Sequence, residues 1–288
     1  MKALVLGAGG QVGRALVKTA PATVSVTALE RRQCDIVDAP AVRRALVSAA
    51  PDIVLNAAAY TAVDRAENDS TTAQLVNGVA PGVVAAAARD AGARFVHVST
   101  DFVFDGGSSR PYRPDDAPYP LSVYGRTKLE GERAVAAVDS SSLIVRTAWV
   151  YAAHSSCFLT TMLRLMRERD QLSVVADQIG TPTYATSLAR AIWAMAKAGA
   201  AGIYHYTDSG VASWYDFAVA IEEEARAAGL LGKSIPVAPI MTSDYPTAAR
   251  RPAFSVLDKS ATWKLIGAPA PHWRAGLRTA LKEQSANG

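Results

Sequence analysis

The sequence predicts an α/β protein: a doubly wound parallel sheet with helices on both faces, joined to a smaller, mixed α/β C-terminal part. Three observations predict it. Short aliphatic runs alternate with helical segments through the first half, a glycine-rich turn follows the first run, and the alternation loosens after Trp149, where prolines gather. Parallel strands need crossover connections, usually helices, so this alternation is their signature. The chain has 288 residues, half of them apolar and 19% charged. That is enough to bury a sizeable core and excludes wholesale disorder.

Lys2 to Leu6 is an apolar run ending at Gly7 and reads as a buried first strand entering a turn, not as a secretion signal. A helical pattern follows through Leu16 and Val17 until Pro21. Val24, Val26 and Ala28 mark a second strand. Asp38 ahead of Ala39-Pro40 marks a helix start, a capping carboxylate with proline in the first turn. Pro51-Asp52 ends that helix and Ile53-Val54-Leu55 forms a third strand. Ser70 to Ala91 is alanine-rich and helical, with a break or kink expected at Pro81. Phe95 to Val98 is a strand closed by Ser99-Thr100-Asp101, Ser122 to Val138 is a helix, and Leu143 to Val145 is a strand. Beyond Trp149, strands are expected at Leu172–Val175 and Ile203–Tyr206. Helices are expected near Phe158–Glu168, Thr183–Lys197 and Trp214–Ala227, and loops around Pro236, Pro239, Pro246 and Pro252. The division expected is a dinucleotide-binding part at 1–150 and a mainly substrate-binding part at 151–288, some of whose segments return to the main sheet.

Cys34 and Cys157 are the two cysteines. They make neither a disulfide framework nor a Cys-only zinc site, and a reducing cytoplasm is the expected setting. No apolar run approaches the ~20 residues that span a bilayer, so no membrane partner is expected. Net charge is +4 with a pI near 9.1, carried by scattered pairs such as Arg31-Arg32 and Arg250-Arg251. Nucleic-acid binding would want a dense basic stripe with aromatics, and none is present. A mildly positive cleft for phosphate-bearing small molecules accounts for the charge equally well. The four histidines, His97, His154, His205 and His272, show no metal-ligand spacing, and His97, alternating within a strand, reads as structural.

Gly7-Ala8-Gly9-Gly10-Gln11-Val12-Gly13 lies between the first strand and the first helix. Glycines there let the backbone approach a pyrophosphate, whose charge the helix N-terminus stabilises. The spacing Gly7, Gly10, Gly13 differs from the usual G-x-G-x-x-G, but its position after an N-terminal strand points to a Rossmann-type dinucleotide site, with a plain structural turn as the alternative. Glu30 ends the second strand, where a carboxylate can accept from the ribose hydroxyls of NAD; Arg31 and Arg32 could instead pair with the 2′-phosphate of NADP. Both NADH and NADPH therefore stay open. Asp35 and Ile36, farther along that edge, are candidates for the adenine contact.

Tyr124-Gly125-Arg126-Thr127-Lys128 places a phenol and an ammonium one turn apart on one helix face. It is the single Tyr-x-x-x-Lys among ten tyrosines. Ketone reduction needs a hydride and a proton for the new alkoxide. A tyrosine at its ordinary pKa of ~10 is poorly matched to proton transfer at neutral pH, and a neighbouring ammonium is expected to lower it. Lys128 can also hold the nicotinamide ribose. Thr100 closes a parallel strand, where open sheets place their ligand crevice, and offers its hydroxyl to the carbonyl oxygen and to the tyrosine.

In addition to Gly7–Gly13 and Tyr124–Lys128, the blocks Asn56-Ala57-Ala58-Ala59-Tyr60-Thr61-Ala62-Val63-Asp64, Ser99-Thr100-Asp101-Phe102-Val103-Phe104, Arg146-Thr147-Ala148-Trp149-Val150-Tyr151, Met162-Leu163 and Asp177-Gln178-Ile179-Gly180-Thr181-Pro182-Thr183 occur in order. Together they resemble the dTDP-4-dehydrorhamnose reductases of the extended short-chain dehydrogenase/reductase group, over nearly the whole chain. The resemblance implies reduction of the 4-keto group of dTDP-4-dehydrorhamnose to dTDP-L-rhamnose by NADPH or NADH, in a monomer or homodimer. It implies a cofactor lining of Gly10, Gln11, Val12, Glu30, Asp35, Ile36, Ala59, Tyr60, Thr61 and Val98, with Tyr124 as proton donor. Thr100, Asp101 and Trp149 would face the sugar nucleotide; on residue type alone a tryptophan after a strand is ordinarily core.

Two departures stand out. Ala15, after Arg14, occupies a position where some members carry a glutamate of an inter-subunit magnesium site. A carboxylate-poor first turn suits a hard cation badly, so no metal is expected. Phe254, in Arg251-Pro252-Ala253-Phe254-Ser255, stands where the family often has asparagine, which puts substrate contacts there in question. Two further readings compete: a 4-ketoreductase giving another 6-deoxysugar epimer, and, outside the enzymes, a dinucleotide-binding regulatory subunit of methionine adenosyltransferase, against which the intact Tyr124/Lys128 pair argues. A sugar-nucleotide dehydratase would want a glutamate after Asp101, where Phe102 stands.

Overall fold

The computed structural model describes residues 1–285. In chain order the first half runs β1 (Lys2–Leu6), α1 (Gln11–Lys18), β2 (Ser25–Leu29), α2 (Ala39–Ala49), β3 (Ile53–Asn56), α3 (Val63–Ala66), α4 (Ser70–Ala73), α5 (Ala80–Asp90), β4 (Arg94–Thr100), α6 (Val123–Val138) and β5 (Leu143–Thr147). The second half runs β6 (Val150–Tyr151), α7 (Phe158–Glu168), β7 (Leu172–Val175), β8 (Ile179–Gly180), β9 (Thr183–Tyr184), α8 (Ala185–Lys197), β10 (Gly202–His205), β11 (Ala212–Ser213), α9 (Trp214–Ala227), β12 (Val237–Ile240), α10 (Ser260–Ile266) and α11 (Trp273–Ser285).

Six strands form the main sheet in the order β10-β5-β4-β3-β1-β2, every pair parallel. Parallel strands buried on both faces read as continuous apolar runs, and all four residues of β3 are buried. Side-chain alternation splits each strand between two cores. Ala3 and Val5 join Leu16 of α1 and Leu188 and Ile192 of α8 on one face. Leu4 and Leu6 join Val42 and Leu46 of α2 and Val84 of α5 on the other. Strand order reverses at β1, with β2 on one side and β3 on the other. In doubly wound sheets ligands bind at such a switch point, beyond the carboxyl ends of the strands.

The stretch expected as a helix from Ser70 to Ala91 is three pieces: α4, six residues of π-helix at Gln74–Val79, and α5. Pro81 has no N–H to return to Asn77, so the preceding turn widens. This frees the buried side chain of Asn77, which clasps Tyr60 by accepting from its N–H at 2.8 Å and donating to its carbonyl at 3.0 Å.

In the second half, the helix expected from Thr183 begins at Ala185, because Thr183 and Tyr184 pair with Val150 and Tyr151. α8 packs into the sheet's core and β10 becomes the sixth main strand. The region expected as loop around Pro239 contains β12, paired in parallel with β7; Pro239 is tolerated in a two-stranded edge where its missing N–H is not needed. A second core unites α7, α9 and α11 around Phe217, Leu159, Ile221 and Leu277. Among the described residues no helix is long and apolar enough to cross a membrane.

Candidate active site

Two cavities meet at the carboxyl ends of β1, β3, β4 and β5. The first, of about 550 Å³, is bounded by Gly7, Gly10, Glu30, Asp35, Ile36 and Tyr60. The second, of about 790 Å³, is bounded by Gln11, Val12, Val98, Thr100, Tyr124, Lys128 and Trp149, among others. Gly9, Gly10, Ala59 and Thr61 line both, so they form one cleft. Every site residue expected from the sequence lies on this cleft except Gly13, which acts from behind it.

The glycine turn is a matter of backbone clearance. Gly7 has φ +76°, and a Cβ there would lie 2.6 Å from Ala58 N. A Cβ at Gly13 would lie 2.2 Å from Gly7 O. The N–H of Gly10 closes the turn on Gly7 O at 3.0 Å. Gly10 caps α1 with no side-chain hydrogen bond, and no acidic residue stands in the first turn. The α1 N-terminus thus faces the cleft with unpaired amide donors, which suits a pyrophosphate. At the far end Arg31 Nε lies 3.1 Å from Asp35 and Arg32 Nε 3.3 Å from Glu30. Acidic and basic candidates for the ribose are paired with one another, and either cofactor finds a partner. These residues fit a nicotinamide dinucleotide laid across the switch point.

At the other end of the cleft, Ser122 caps α6, its Oγ accepting from Gly125 N at 3.1 Å, which sets Tyr124 in the first turn. The Phe102 ring meets the Tyr124 ring edge-on at 5.5 Å. Burial pushes the phenol up to about 12; a hydrogen bond with Thr100 opposes this and the charge of Asp101 adds to it. The expected lowering by Lys128 is absent, because Lys128 Nζ is turned into the sheet, 2.7 Å from Val98 O and 3.2 Å from His97 Nε2. Burial brings Lys128 itself down to about 8, against a raising contribution from Glu132. Thr100 Oγ1 donates to Asp101 Oδ1 at 3.0 Å and accepts from Phe102 N at 3.2 Å. Burial raises Asp101 to about 6.

Trp149 faces the cleft and is no core tryptophan. Its φ of +47° is one of two positive values at non-glycine positions among the described residues, a backbone cost of ~1–3 kcal/mol that clusters at functional sites. Its indole stacks on Trp214, centroids 3.6 Å apart and planes within 8°. Gly180 leaves the room: a Cβ there would lie 2.6 Å from Trp149 Cε2. Trp214 holds its place through a capping box, Ser213 Oγ accepting from Asp216 N at 3.0 Å and Asp216 accepting from Ser213 N at 2.8 Å. Arg251 also lines the cleft and pairs with Asp64 at 2.7 Å, fastening the C-terminal segment to the Ala59–Asp64 wall. Sequence reasoning missed Trp214, Arg251 and the His97 contact. The capping pattern before Trp214 marks a helix start, but nothing local ties it to Trp149.

The two departures have structural reasons. Ala15 is buried against the sheet core, so its side chain packs and does not present itself to a ligand. Phe254 packs against Val103, Phe104, Tyr112, Leu129 and Leu257, an apolar nest in which an amide would lack partners.

A parallel sheet with a glycine turn at its switch point, and a Thr/Tyr/Lys cluster beyond β4, define the extended short-chain dehydrogenase/reductase class. Within it, the chain belongs to the family described as RmlD substrate binding domain, which matches residues 1–286. It is 44% identical to a dTDP-4-dehydrorhamnose reductase of Burkholderia thailandensis, over 98% of this chain and 99% of that one. It is 40% identical to the spore coat polysaccharide biosynthesis protein SpsK of Bacillus subtilis, over 99% and 98%. A crystal structure of a Clostridium acetobutylicum dTDP-4-dehydrorhamnose reductase superposes with TM-score 0.93 at 38% identity, over 99% of this chain and 100% of that one. A Bacillus anthracis dTDP-4-dehydrorhamnose reductase in complex with NADP superposes with TM-score 0.92 at 33% identity, over 98% and 99%.

Proposed function

We propose that the protein is an NADPH- or NADH-dependent reductase that converts the 4-keto group of dTDP-4-dehydrorhamnose to the alcohol of dTDP-L-rhamnose. The observation that carries this reading is the convergence of Thr100, Tyr124 and Lys128 on the same cleft as the glycine turn. The full-length kinship with dTDP-4-dehydrorhamnose reductases supports it.

In this reading Gly7–Gly13 and the α1 N-terminus hold the pyrophosphate, Glu30, Asp35 and Ile36 the adenosine end, and Ala59–Thr61 and Val98 the middle of the dinucleotide. A nicotinamide held there would supply the hydride that the sugar carbonyl carbon accepts. The carbonyl π electrons move onto oxygen, and Tyr124 gives that oxygen its phenolic proton. A phenol held at about 12 carries its proton at neutral pH, and transfer to an alkoxide, the stronger base, is downhill. Thr100 lies beside the phenol and can orient the carbonyl; solvent then reprotonates Tyr124. Asp101, Trp149 and Trp214 form the wall against the sugar nucleotide, with Arg251 as an anion partner for its phosphates. No metal enters this reading, since Tyr124 and Thr100 both address the oxygen that a Lewis acid would polarise. The two free cysteines suit a reducing cytoplasm.

The test is incubation with dTDP-4-dehydrorhamnose and each cofactor, following oxidation of the dinucleotide and identifying the sugar by NMR. A C4-epimeric 6-deoxysugar would move the protein to a sister ketoreductase. Tight dinucleotide binding without turnover of any 4-keto sugar nucleotide would favour a regulatory role.

A further inference from the structure

Lys128 lies against a chain of buried polar groups that the reaction above does not use. Beyond its nitrogen stands His97 on β4, and beyond that Asn56 at the end of β3, each at most 1% exposed. Lys128 Nζ is 3.2 Å from His97 Nε2, and His97 Nδ1 is 3.2 Å from Asn56 Nδ2. Asn56 is anchored from its other side, where Ala58 N donates to Asn56 Oδ1 at 3.2 Å.

Counting donors and acceptors fixes the protons. The Ala58 N–H requires the amide oxygen of Asn56 to face it, so the amide nitrogen faces His97. A donor on Asn56 makes Nδ1 of His97 an acceptor. Burial holds His97 well below its ordinary pKa, so the ring is neutral and bears its one proton on Nε2. That N–H points at Lys128. An ammonium has three donors and no lone pair, whereas a neutral amine has a lone pair to accept with and N–H groups left for Val98 O. A charged Lys128 would leave two donors facing each other 3.2 Å apart, with no room for a water between them, or would force Asn56 to flip and strand the Ala58 N–H.

We propose that Asn56 and His97 are positioning residues that favour the neutral amine of Lys128 while the cleft is empty, so that a growing share of it is unprotonated from neutral into mildly alkaline pH, and that this share takes up a proton from solvent when Nζ turns from His97 to the hydroxyls of the incoming dinucleotide. The other charged and titratable groups around Lys128 are Tyr124 one turn before it and Glu132 one turn after it, with Asp101 beyond Tyr124. Glu132 favours the ammonium, but its carboxylate is engaged by Arg146, at 2.7 Å, and by Ser99. Burial prevails over it, in the direction the hydrogen-bond count requires. The inference rests only on the cofactor part of the proposed function, not on the identity of the sugar.

Two measurements test it. In the empty protein, labelled lysine side chains are followed by NMR against pH, and Lys128→Met assigns the signal of Lys128 among the eight lysines. The wild-type Lys128 signal is expected to titrate near about 8. In Asn56→Asp a carboxylate accepts from both Ala58 N and His97 Nδ1–H, which reverses the tautomer and makes Nε2 an acceptor for an ammonium. The titration should then move toward the ordinary lysine value of ~10.4. Should Asn56→Asp fail to fold, His97→Gln, whose amide oxygen can turn to the ammonium, is expected to move it the same way. Calorimetry of NADPH binding in buffers of different ionisation enthalpy counts protons. Wild type should take up a growing fraction of a proton as pH rises through about 8, and Asn56→Asp should take up none there. A wild-type signal already at the ordinary lysine value, or NADPH binding with the same proton count in wild type and variants, overturns the proposal. Failure of NADPH to bind would speak against the cofactor reading, and the titration of the empty protein would still decide this one.

Discussion

At the end of the cleft proposed for the cofactor the wall is backbone; at the end proposed for the sugar it is side chains. Gly7 to Gly13 form one contiguous turn whose shape is dictated by contacts of the chain with itself, Gly13 against Gly7 and Gly7 against Ala58. At the other end Thr100, Tyr124, Trp149, Trp214 and Arg251 arrive from five separated segments. Each is held by a device of its own: a hydrogen bond to Asp101 for Thr100, a capping serine for Tyr124, a glycine gap for Trp149, a capping box for Trp214, an ion pair for Arg251. A backbone wall tolerates no added atom but needs little help from afar. A side-chain wall can change chemistry residue by residue, at the cost of depending on the whole fold. The cofactor is common to a large class of reductases and the sugar is particular, so the two constructions match what each end has to recognise.

The sharpest separation of the two ends is expected from Tyr124→Phe. It keeps the ring against Phe102 and removes the acid, and positioned acid catalysis is worth ~10²–10⁴-fold. Turnover should fall by that factor while NADPH binding, measured by fluorescence titration, stays near wild type. Equal losses in both would mean that the ends are not separable.

Gly13→Ala probes the backbone wall. Alanine is the better helix former by ~1 kcal/mol, so a gain in stability would be expected if the site were an ordinary first turn. The overlap with Gly7 O is expected to win, since forcing extra atoms into a packed site costs ~1–3 kcal/mol. NADPH affinity should drop by roughly ten- to a hundredfold at that ~1.4 kcal/mol per decade, with a lower Tm.

A third measurement addresses the junction between the main sheet and the C-terminal core. Asp208 is buried there, Oδ2 accepting from Tyr184 N at 3.0 Å, and burial raises its carboxyl from 3.8 to about 7. Its folded value lies above its unfolded one, so the unfolded chain releases the proton first as pH rises. Stability from this group is therefore present below the unfolded value and is lost progressively between 3.8 and about 7. Asp208→Asn cannot titrate. Its Tm, low relative to wild type or equal to it in acid, should gain on wild type by a few degrees by neutral pH, at ~2–4 °C per kcal/mol for a chain of this size. Parallel pH curves for the two proteins would show that Asp208 is not the titrating group.

The smallest effect is expected from Trp214→Ala. A stacked aromatic pair is worth ~0.5–1.5 kcal/mol beyond its buried area. KM for the sugar nucleotide should rise about three- to tenfold, with NADPH affinity unchanged. A change confined to the cofactor would place Trp214 in the wrong half of the cleft.

Much of this molecule could be read in one dimension. Aliphatic runs and helical segments alternate because parallel strands must be buried on both faces and joined by helices, and the turn after β1 is spelled locally because the contacts of Gly10 and Gly13 with Gly7 are between near neighbours. Tyr124 and Lys128 were legible as a pair because a helix brings positions four apart together. What the sequence could not order was everything that depends on distant partners. The break before α5 was visible as Pro81, but not the π-helix that delivers Asn77 to Tyr60. A strand near Ile203–Tyr206 was legible, and so was the return of some later segment to the main sheet, but that β10 is the one that returns, beside β5, follows only from the packing of α8 on the sheet. Lys128 was expected to act on Tyr124, its sequence neighbour, yet its nitrogen is taken by Val98 and His97 from the strand beneath. Sequence alone determined the fold class and nominated the candidate reacting groups, since periodicity and residue chemistry are local properties. Tertiary structure decided which partners those groups have and which residues share their cleft, because desolvation and hydrogen-bond partnership exist only once separate strands and helices enclose the same space.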